Sequence, residues 1–335
     1  MAAVMVPPES APAFLAANGW AGAAIVPLAG DASFRRYFRV VDGARTAVLM
    51  DAPPDKEDSR PFLAIADHLV ALGFSAPRAL AVDLDRGLIL LEDFGDQLVN
   101  PLMARRPELE RPIYEAAIDV QAALHDHRPP TVPAYGRSEL LREVNLFTEW
   151  YLPALGTPVD QAGWEAAWDA AWGGVLAETA ASPVLVLRDY HADNLMLLPE
   201  REGLRRLGLL DFQDALAGHP AYDLVSLLQD ARRDVPAELE AAMLDRYATA
   251  RGVVDRAGFR AAYEVLGAQR NTKILGIFTR LRKRDGKQGY VERHPRIWGY
   301  LERNLRHPSL EPVRAWFDAN VPDALRAASW QRLAA

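Results

Sequence analysis

Leu187-Arg188-Asp189-Tyr190-His191-Ala192-Asp193-Asn194, followed by Leu209-Leu210-Asp211-Phe212, decides how this chain is read. Each stretch follows a short apolar run of strand character, Val184 to Leu187 and Leu207 to Leu210. Each then presents oxygen-bearing side chains. Asp189 precedes Asn194 by five positions, and Asp211 ends the second run. A carboxylate at a strand end is held by backbone and can accept a hydrogen bond from an attacking hydroxyl. Asn194 offers a neutral oxygen and Asp211 two anionic ones. These are hard ligands of the kind magnesium takes when phosphates fill its other positions. Either motif alone reads equally well as a turn residue or a strand cap. The two in this order are much harder to obtain by chance.

Upstream, the chain reads as short strands. Ala24 to Leu28 is apolar, and Gly30-Asp31-Ala32-Ser33 is a turn. Tyr37 to Val41 is aromatic and β-branched, and Asp42-Gly43 signals a hairpin leading to Thr46 to Met50. Phe62, Ile65, Leu69 and Leu72 recur at helical spacing, and Gly73 closes that helix. Ala79 to Val82 and Leu88 to Leu91 form a second hairpin around Asp85-Arg86-Gly87. After Glu92-Asp93-Phe94-Gly95, helices dominate. Leu109, Ile113, Ala116, Val120 and Leu124 share one helical face. Ser138-Glu139 opens another helix carrying Leu140, Leu141, Val144, Phe147 and Trp150, and helices resume from Tyr222.

Bulk composition narrows the class. The 335 residues are 50% apolar and 25% charged, enough for one large core or two packed lobes. A net charge of -7 argues against a general nucleic-acid surface. The absence of Cys excludes disulfides and Cys-ligated zinc. Met1 to Val26 has no early Lys or Arg and is broken by Pro7, Pro8 and Pro12, so it is a poor signal peptide. With no apolar run long enough to span a bilayer, the expectation is a cytoplasmic protein with no membrane partner.

The chain resembles the aminoglycoside phosphotransferase/choline kinase superfamily, which shares the bilobal protein-kinase-like fold. Within it, three segments resemble the bacterial anomeric kinases of cell-wall amino sugars: Gly30-Asp31-Ala32-Ser33-Phe34-Arg35-Arg36-Tyr37-Phe38-Arg39, Leu49-Met50-Asp51-Ala52-Pro53-Pro54 and Asp211-Phe212-Gln213-Asp214-Ala215. Those enzymes phosphorylate N-acetylmuramate and N-acetylglucosamine at C1 during peptidoglycan recycling. The resemblance implies an α+β chain. Residues 1–94 would form a small N-lobe, an antiparallel sheet with one helix, ending in a hinge. Residues 95–335 would form a larger, mostly helical C-lobe. It also implies a monomeric enzyme using ATP and Mg2+ on a small amino sugar.

On that resemblance Asp189 is the catalytic carboxylate, and Asn194 and Asp211 are the metal ligands. His191 and Asp223 support the catalytic loop. Ser33 and its neighbours face phosphate, Glu92 and Phe94 lie at the adenine-binding hinge, and Leu91 and Met50 form apolar walls. Alternation places Arg35, Tyr37 and Arg39 on one strand face and Arg36, Phe38 and Val40 on the other. Kinase-like folds usually place a Lys on the third strand against the α- and β-phosphates. Ala47-Val48-Leu49-Met50-Asp51 has none. Arg36 or Arg39 is expected to substitute.

The acceptor site is read from polar and aromatic residues on two helical stretches: Glu143, Asn145, Glu149 and Trp150, then Arg270, Asn271 and Lys273. Arg270 or Lys273 would suit the lactate carboxylate of a muramic acid. Two alternatives stand beside this reading. The acceptor could be an aminoglycoside, choline or homoserine, or the chain could be a nucleotide-binding pseudokinase. A protein kinase is disfavoured, because no Ala-Pro-Glu motif follows Asp211.

Overall fold

A computed structural model describes residues 5–28 and 34–334. Among these residues there are nine strands: β1 (Ala24–Pro27), β2 (Arg36–Asp42), β3 (Arg45–Asp51), β4 (Ala79–Asp83), β5 (Leu88–Glu92), β6 (Val184–Val186), β7 (Leu195–Leu197), β8 (Leu207–Leu209) and β9 (Leu216–Gly218). The chain forms two compact units. One is Met1–Pro107 with Asp193–Asp214, and the other is Glu108–Ala192 with Ala215–Ala335. The sequence placed a single boundary after residue 94. By internal contacts the first unit runs on to Pro107 and also takes in the segment carrying Asn194 and Asp211.

In the first unit, β1 to β5 form one antiparallel sheet in the order β1-β2-β3-β5-β4. The pairing Asp42↔Arg45 leaves a two-residue turn, and Gly43 sits there at φ 61°, a conformation that favours glycine. The helices of this unit are α1 (Ala11–Ala17), α2 (Arg60–Ala71) and α3 (Val99–Arg105). The sequence reading expected one helix with the sheet. It missed α1, whose Phe14 and Leu15 pack with Trp20 against Phe38, Val40, Ala47, Leu49, Leu88 and Leu90. That core fills one face of the sheet. Helix α2 buries Phe62, Ile65 and Leu69 of the predicted stripe together with Ala66, while Leu72 caps the helix and is half-buried. Strands β7 and β8 pair as a separate antiparallel ladder, and Leu209 N–H donates to the Ser75 carbonyl at 2.8 Å.

The second unit is helical around the short ladder of β6 and β9. Its helices are α4 (Glu110–Leu124), α5 (Arg137–Leu146), α6 (Leu152–Ala154), α7 (Gln161–Ala181), α8 (Ala221–Leu228), α9 (Ala237–Ala250), α10 (Arg256–Lys283), α11 (His294–Asn304), α12 (Glu311–Asn320) and α13 (Asp323–Ala334). Asp160 and Asp255 cap α7 and α10 by accepting the N–H of Gly163 and Gly258 at 3.0 and 2.8 Å. An aromatic core of Trp164, Phe147, Trp298 and Phe317 joins α7, the turn after α5, α11 and α12. Gly276 lets α10 lie directly on the end of α5. A Cβ there would sit 2.4 Å from the Leu146 carbonyl carbon. Among the described residues no helix is long and apolar enough to cross a membrane.

Candidate active site

The face of the sheet opposite α1 lines a cavity of about 450 Å³ within the first unit. Tyr37 and Arg39 of β2, Val48 of β3, Phe62 of α2, and Leu91, Glu92, Asp93 and Phe94 at the end of β5 form its walls. Met196, Leu210, Asn194, Asp211 and Gln213 close it from the β7–β8 ladder. Phe94 can lie flat there because residue 208 is glycine, where a Cβ would meet the ring at 2.7 Å. Arg201 stacks over that ring at 5.1 Å and pairs with Glu92.

The ladder explains why Asn194 and Asp211 meet. Leu195 is paired with Leu209, so the residue before β7 and the residues after β8 emerge at one end. Leu210 N–H donates to the Asn194 carbonyl at 3.0 Å, and the Asn194 amide lies 3.2 Å from Asp211 Oδ2. Gln213 Nε2 donates to Asp211 Oδ1 at 2.7 Å. Asp211 itself takes φ 58°, unusual for a residue with a Cβ. Asn194 and Asp211 both line this cavity, which is wide enough for a nucleotide, and a carboxylate with an amide oxygen suits a magnesium ion that takes its remaining ligands from phosphates and water.

In the second unit, Asp189 lies just beyond β6, in a tight turn closed by Asp189 N–H to the Leu187 carbonyl at 2.9 Å and His191 N–H to the Asp189 carbonyl at 3.0 Å. Asp223, buried at the start of α8, accepts the N–H groups of Leu187 at 2.6 Å and Arg188 at 2.8 Å. Burial pushes the Asp223 carboxyl up to about 6, against those two hydrogen bonds. Arg188 has φ 69°, so the residue before Asp189 is also in the left-handed region.

Beneath this turn is a buried charge cluster. Glu143 of α5, 1% exposed, accepts from Tyr135, Arg188, Lys273 Nζ at 2.6 Å and Gln269 at 2.9 Å. Burial acts to raise its pKa, but Lys273 and Arg188 outweigh it and bring the carboxyl down to about 2. Arg270 donates to the Arg188 carbonyl at 2.9 Å and pairs with Asp189 Oδ1 at 3.4 Å. Burial likewise works to raise Asp189, and Arg270, then Lys273, hold it below the usual carboxylate range. The Asp189 side chain is 42% exposed, so solvent screens part of that field. His191 is buried, and burial keeps it neutral well below its ordinary range.

The remaining predicted residues divide by strand and helix face. Arg39, Leu91, Glu92 and Phe94 line the cavity. Arg36 does not. It lies on the α1 face beside Phe38 and pairs with Asp51 at 2.5 Å, because alternation sends it the other way. Met50 is fully buried and absent from the cavity wall. Ser33 falls outside the described residues. Asn145 accepts from the Trp164 indole at 3.0 Å, and Asn271 bridges Gln229 and Asn304 at 2.8 and 3.1 Å. Both brace helices rather than joining Asp189. Glu149 is exposed and Trp150 half-buried on a π-helical turn, Phe147–Tyr151. Sequence reasoning passed over Arg188, Tyr135 and Gln269, and left Arg35 undecided. Phe38 and Val40 were the available signal for Arg35: two apolar residues on the Arg36 face mark that face as core.

An antiparallel five-stranded sheet with a hinge-side cavity and a mostly helical second unit is the protein-kinase-like fold, here with kinase-type acidic motifs. The chain belongs to the phosphotransferase enzyme family, whose pattern it matches over residues 24–265. It is 41% identical to the N-acetylmuramate/N-acetylglucosamine kinase of Caulobacter vibrioides, over 92% of this chain and 95% of that one. It is 38% identical to the enzyme of the same name from Pseudomonas aeruginosa, over 89% and 90%. Among solved structures it is similar to a choline kinase from Streptococcus pneumoniae (TM-score 0.60, 13% identity, 84% of this chain and 93% of that one). It is also similar to an aminoglycoside phosphotransferase from Streptomyces rimosus in complex with ADP and streptomycin (TM-score 0.54, 20% identity, 78% and 99%).

Proposed function

We propose that this phosphotransferase uses ATP and Mg2+ to phosphorylate the anomeric C1 hydroxyl of N-acetylmuramate and N-acetylglucosamine, a step of peptidoglycan recycling. The observation that carries the acceptor class is the pairing of Asp189 with Arg270 at 3.4 Å. The carboxylate that would meet the acceptor already has a guanidinium partner. Such a carboxylate offers little to cationic acceptors such as choline or an aminoglycoside and suits a neutral or acidic sugar. The relatives' names support the same acceptors.

In this reading the hinge residues Leu91 to Phe94 receive the adenine, and Asn194 with Asp211 hold the ion. Bound magnesium supplies neutralisation of the nucleotide phosphates. Asp189, anionic at neutral pH, accepts a hydrogen bond from the C1 hydroxyl and aims its oxygen at the γ-phosphorus. An anomeric hydroxyl is more acidic than an ordinary alcohol, so a carboxylate of low basicity suffices. Asp223 and Arg270 hold the turn carrying Asp189. His191 packs beneath it as a neutral side chain.

The test is ADP release coupled to product analysis across a panel of amino sugars, aminoglycosides, choline and homoserine. N-acetylmuramate and N-acetylglucosamine should be turned over to products with phosphate on the reducing carbon, and their 1-O-methyl glycosides should not react. Asp189→Asn should lower kcat by roughly 10²-fold or more. Turnover confined to choline or aminoglycosides would overturn the acceptor assignment, and absence of any transfer would overturn the mechanism.

A further inference from the structure

The cavity raises the question of which cation meets the nucleotide phosphates when the third strand has no Lys. Met50 is fully buried, and β3 carries no other long cation toward the cavity. Arg39, on the cavity wall, is engaged at the hinge end, 2.8 Å from both Asp93 and Asp96 and 3.0 Å from the Gly95 carbonyl. Arg36 is on the opposite face with Asp51. Arg35 remains. It directly precedes β2 and shares the alternating face of Tyr37 and Arg39, both cavity-lining.

We propose that Arg35 is the phosphate-facing cation of this enzyme and that Glu57 is its positioning partner, an Arg–Glu pair doing the work of the Lys–Glu pair of other kinases. The inference rests on the phosphotransferase reading above. Arg35 is 6% exposed and pairs with Glu57 at 3.2 Å. Glu57 lies in the segment that leads from β3 into α2. Phe62 of α2 stacks on Phe212 at 5.2 Å between ring centres, which ties the start of α2 to the residue after Asp211. By the strand register Arg35 stands at the end of the sheet opposite the hinge, next to the residues that line the cavity but not itself among them. Burial acts to lower its pKa, but its contacts with Tyr37 and Glu57, and the Asp211 carboxylate, prevail and raise it. A guanidinium keeps its charge under such burial and can bridge two phosphate oxygens, which an ammonium cannot do in the same way.

Calorimetry on the full chain, comparing adenosine with ADP in the presence of magnesium, separates the phosphate contact from the adenine pocket. Arg35→Met should leave adenosine binding within about 2-fold of wild type and weaken ADP by about 10- to 100-fold. Arg35→Lys should recover part of the loss. Arg36→Gln should change neither ligand. Glu57→Gln keeps the guanidinium and should weaken ADP about 3- to 10-fold by loosening it, which gives a reading even where Arg35→Met does not fold. Equal ADP affinity in wild type and Arg35→Met, or an equal loss of adenosine and ADP, overturns the role of Arg35 alone. A wild-type chain that binds neither nucleotide overturns this proposal together with the function on which it rests.

Discussion

Replacing Glu143 by Gln tests the charge cluster beneath Asp189 most directly. The substitution keeps shape and one acceptor oxygen but removes the negative charge shared by Lys273 and Arg188. Two estimates of the cost agree. Breaking a buried ion pair by removing one partner costs about 3–5 kcal/mol, since the other charge stays buried. The shift of the Glu143 carboxyl from 4.5 to about 2 corresponds to about 3 kcal/mol of stabilisation of its ionised form. The sign follows from the downward shift. This stability is present above the ordinary glutamate pKa and is lost as pH falls toward about 2. For a cooperative unit of about 200 residues, 3–5 kcal/mol lowers Tm by about 7–12 °C.

Urea and thermal unfolding at pH 7.5 give the single-mutant cost, and a cycle with Lys273→Met isolates the pair. Lys273→Met should cost about 2 kcal/mol less in the Glu143→Gln background than in the wild type, because the partner is already gone. Phosphate transfer measured well below Tm should fall on the order of 10- to 100-fold, since Arg188 loses the carboxylate that fixes it one residue before Asp189. Additive effects, with a coupling below about 0.5 kcal/mol, would refute the claim that Glu143 neutralises this cluster.

Acidification should weaken the second unit before carboxylate loss begins. His125 and His294 are held by burial at about 3, so each withdraws about 2 kcal/mol of stability between pH 7 and 5, whereas Asp223, held up at about 6, returns about 1 kcal/mol. Urea midpoints at the two pH values should differ accordingly, with the buried His191 and His219 acting in the same direction, and His294→Leu should remove about 2 kcal/mol of the loss. Asp223→Asn leaves one of two backbone N–H donors facing an amide NH₂, so transfer at pH 7.5 should drop about 10-fold and lose the acid limb centred near pH 6; a wild-type limb that persists in the variant would assign it elsewhere. Gly276→Ala should cost about 1–3 kcal/mol by driving a Cβ into Leu146, and an unchanged Tm would show that α5 yields freely.

The strands and acidic motifs were legible because they depend on local pattern. Alternation in β2, the Asp42-Gly43 turn and the apolar runs before Asp189 and Asp211 all act within a few residues. The cluster around Glu143 was not, because its meaning depends on partners far along the chain. Lys273 is 130 positions away, and nothing near Glu143 says whether its carboxylate meets solvent, substrate or a buried ammonium. Asn145 and Asn271 carried the same ambiguity and resolved as braces. Helix α1 was hidden by its brevity and alanine content. Helix α7 did leave a signal, Trp164, Trp168 and Trp172 at four-residue spacing, and all three are buried.

Two non-glycine residues among those described take positive φ: Arg188, next to Asp189, and Asp211. Each such position costs on the order of 1–3 kcal/mol and persists only where surrounding groups over-determine it. Asp223 and Glu143 do so for Arg188, and Asn194 and Gln213 for Asp211. A chain that only bound nucleotide would need strain at Asp211, which faces the cavity. Strain at Arg188 has no such role, because Arg188 is not among the residues that line that cavity. On the proposed function, the buried charges and the strained residue before Asp189 serve orientation of the Asp189 carboxylate, which matters to a transferring enzyme. Asp189→Asn should then bind ADP within about 2-fold of wild type while transfer is lost. A variant that transfers phosphate at wild-type rate would leave the strain at Arg188 without a purpose and restore the binding-only reading.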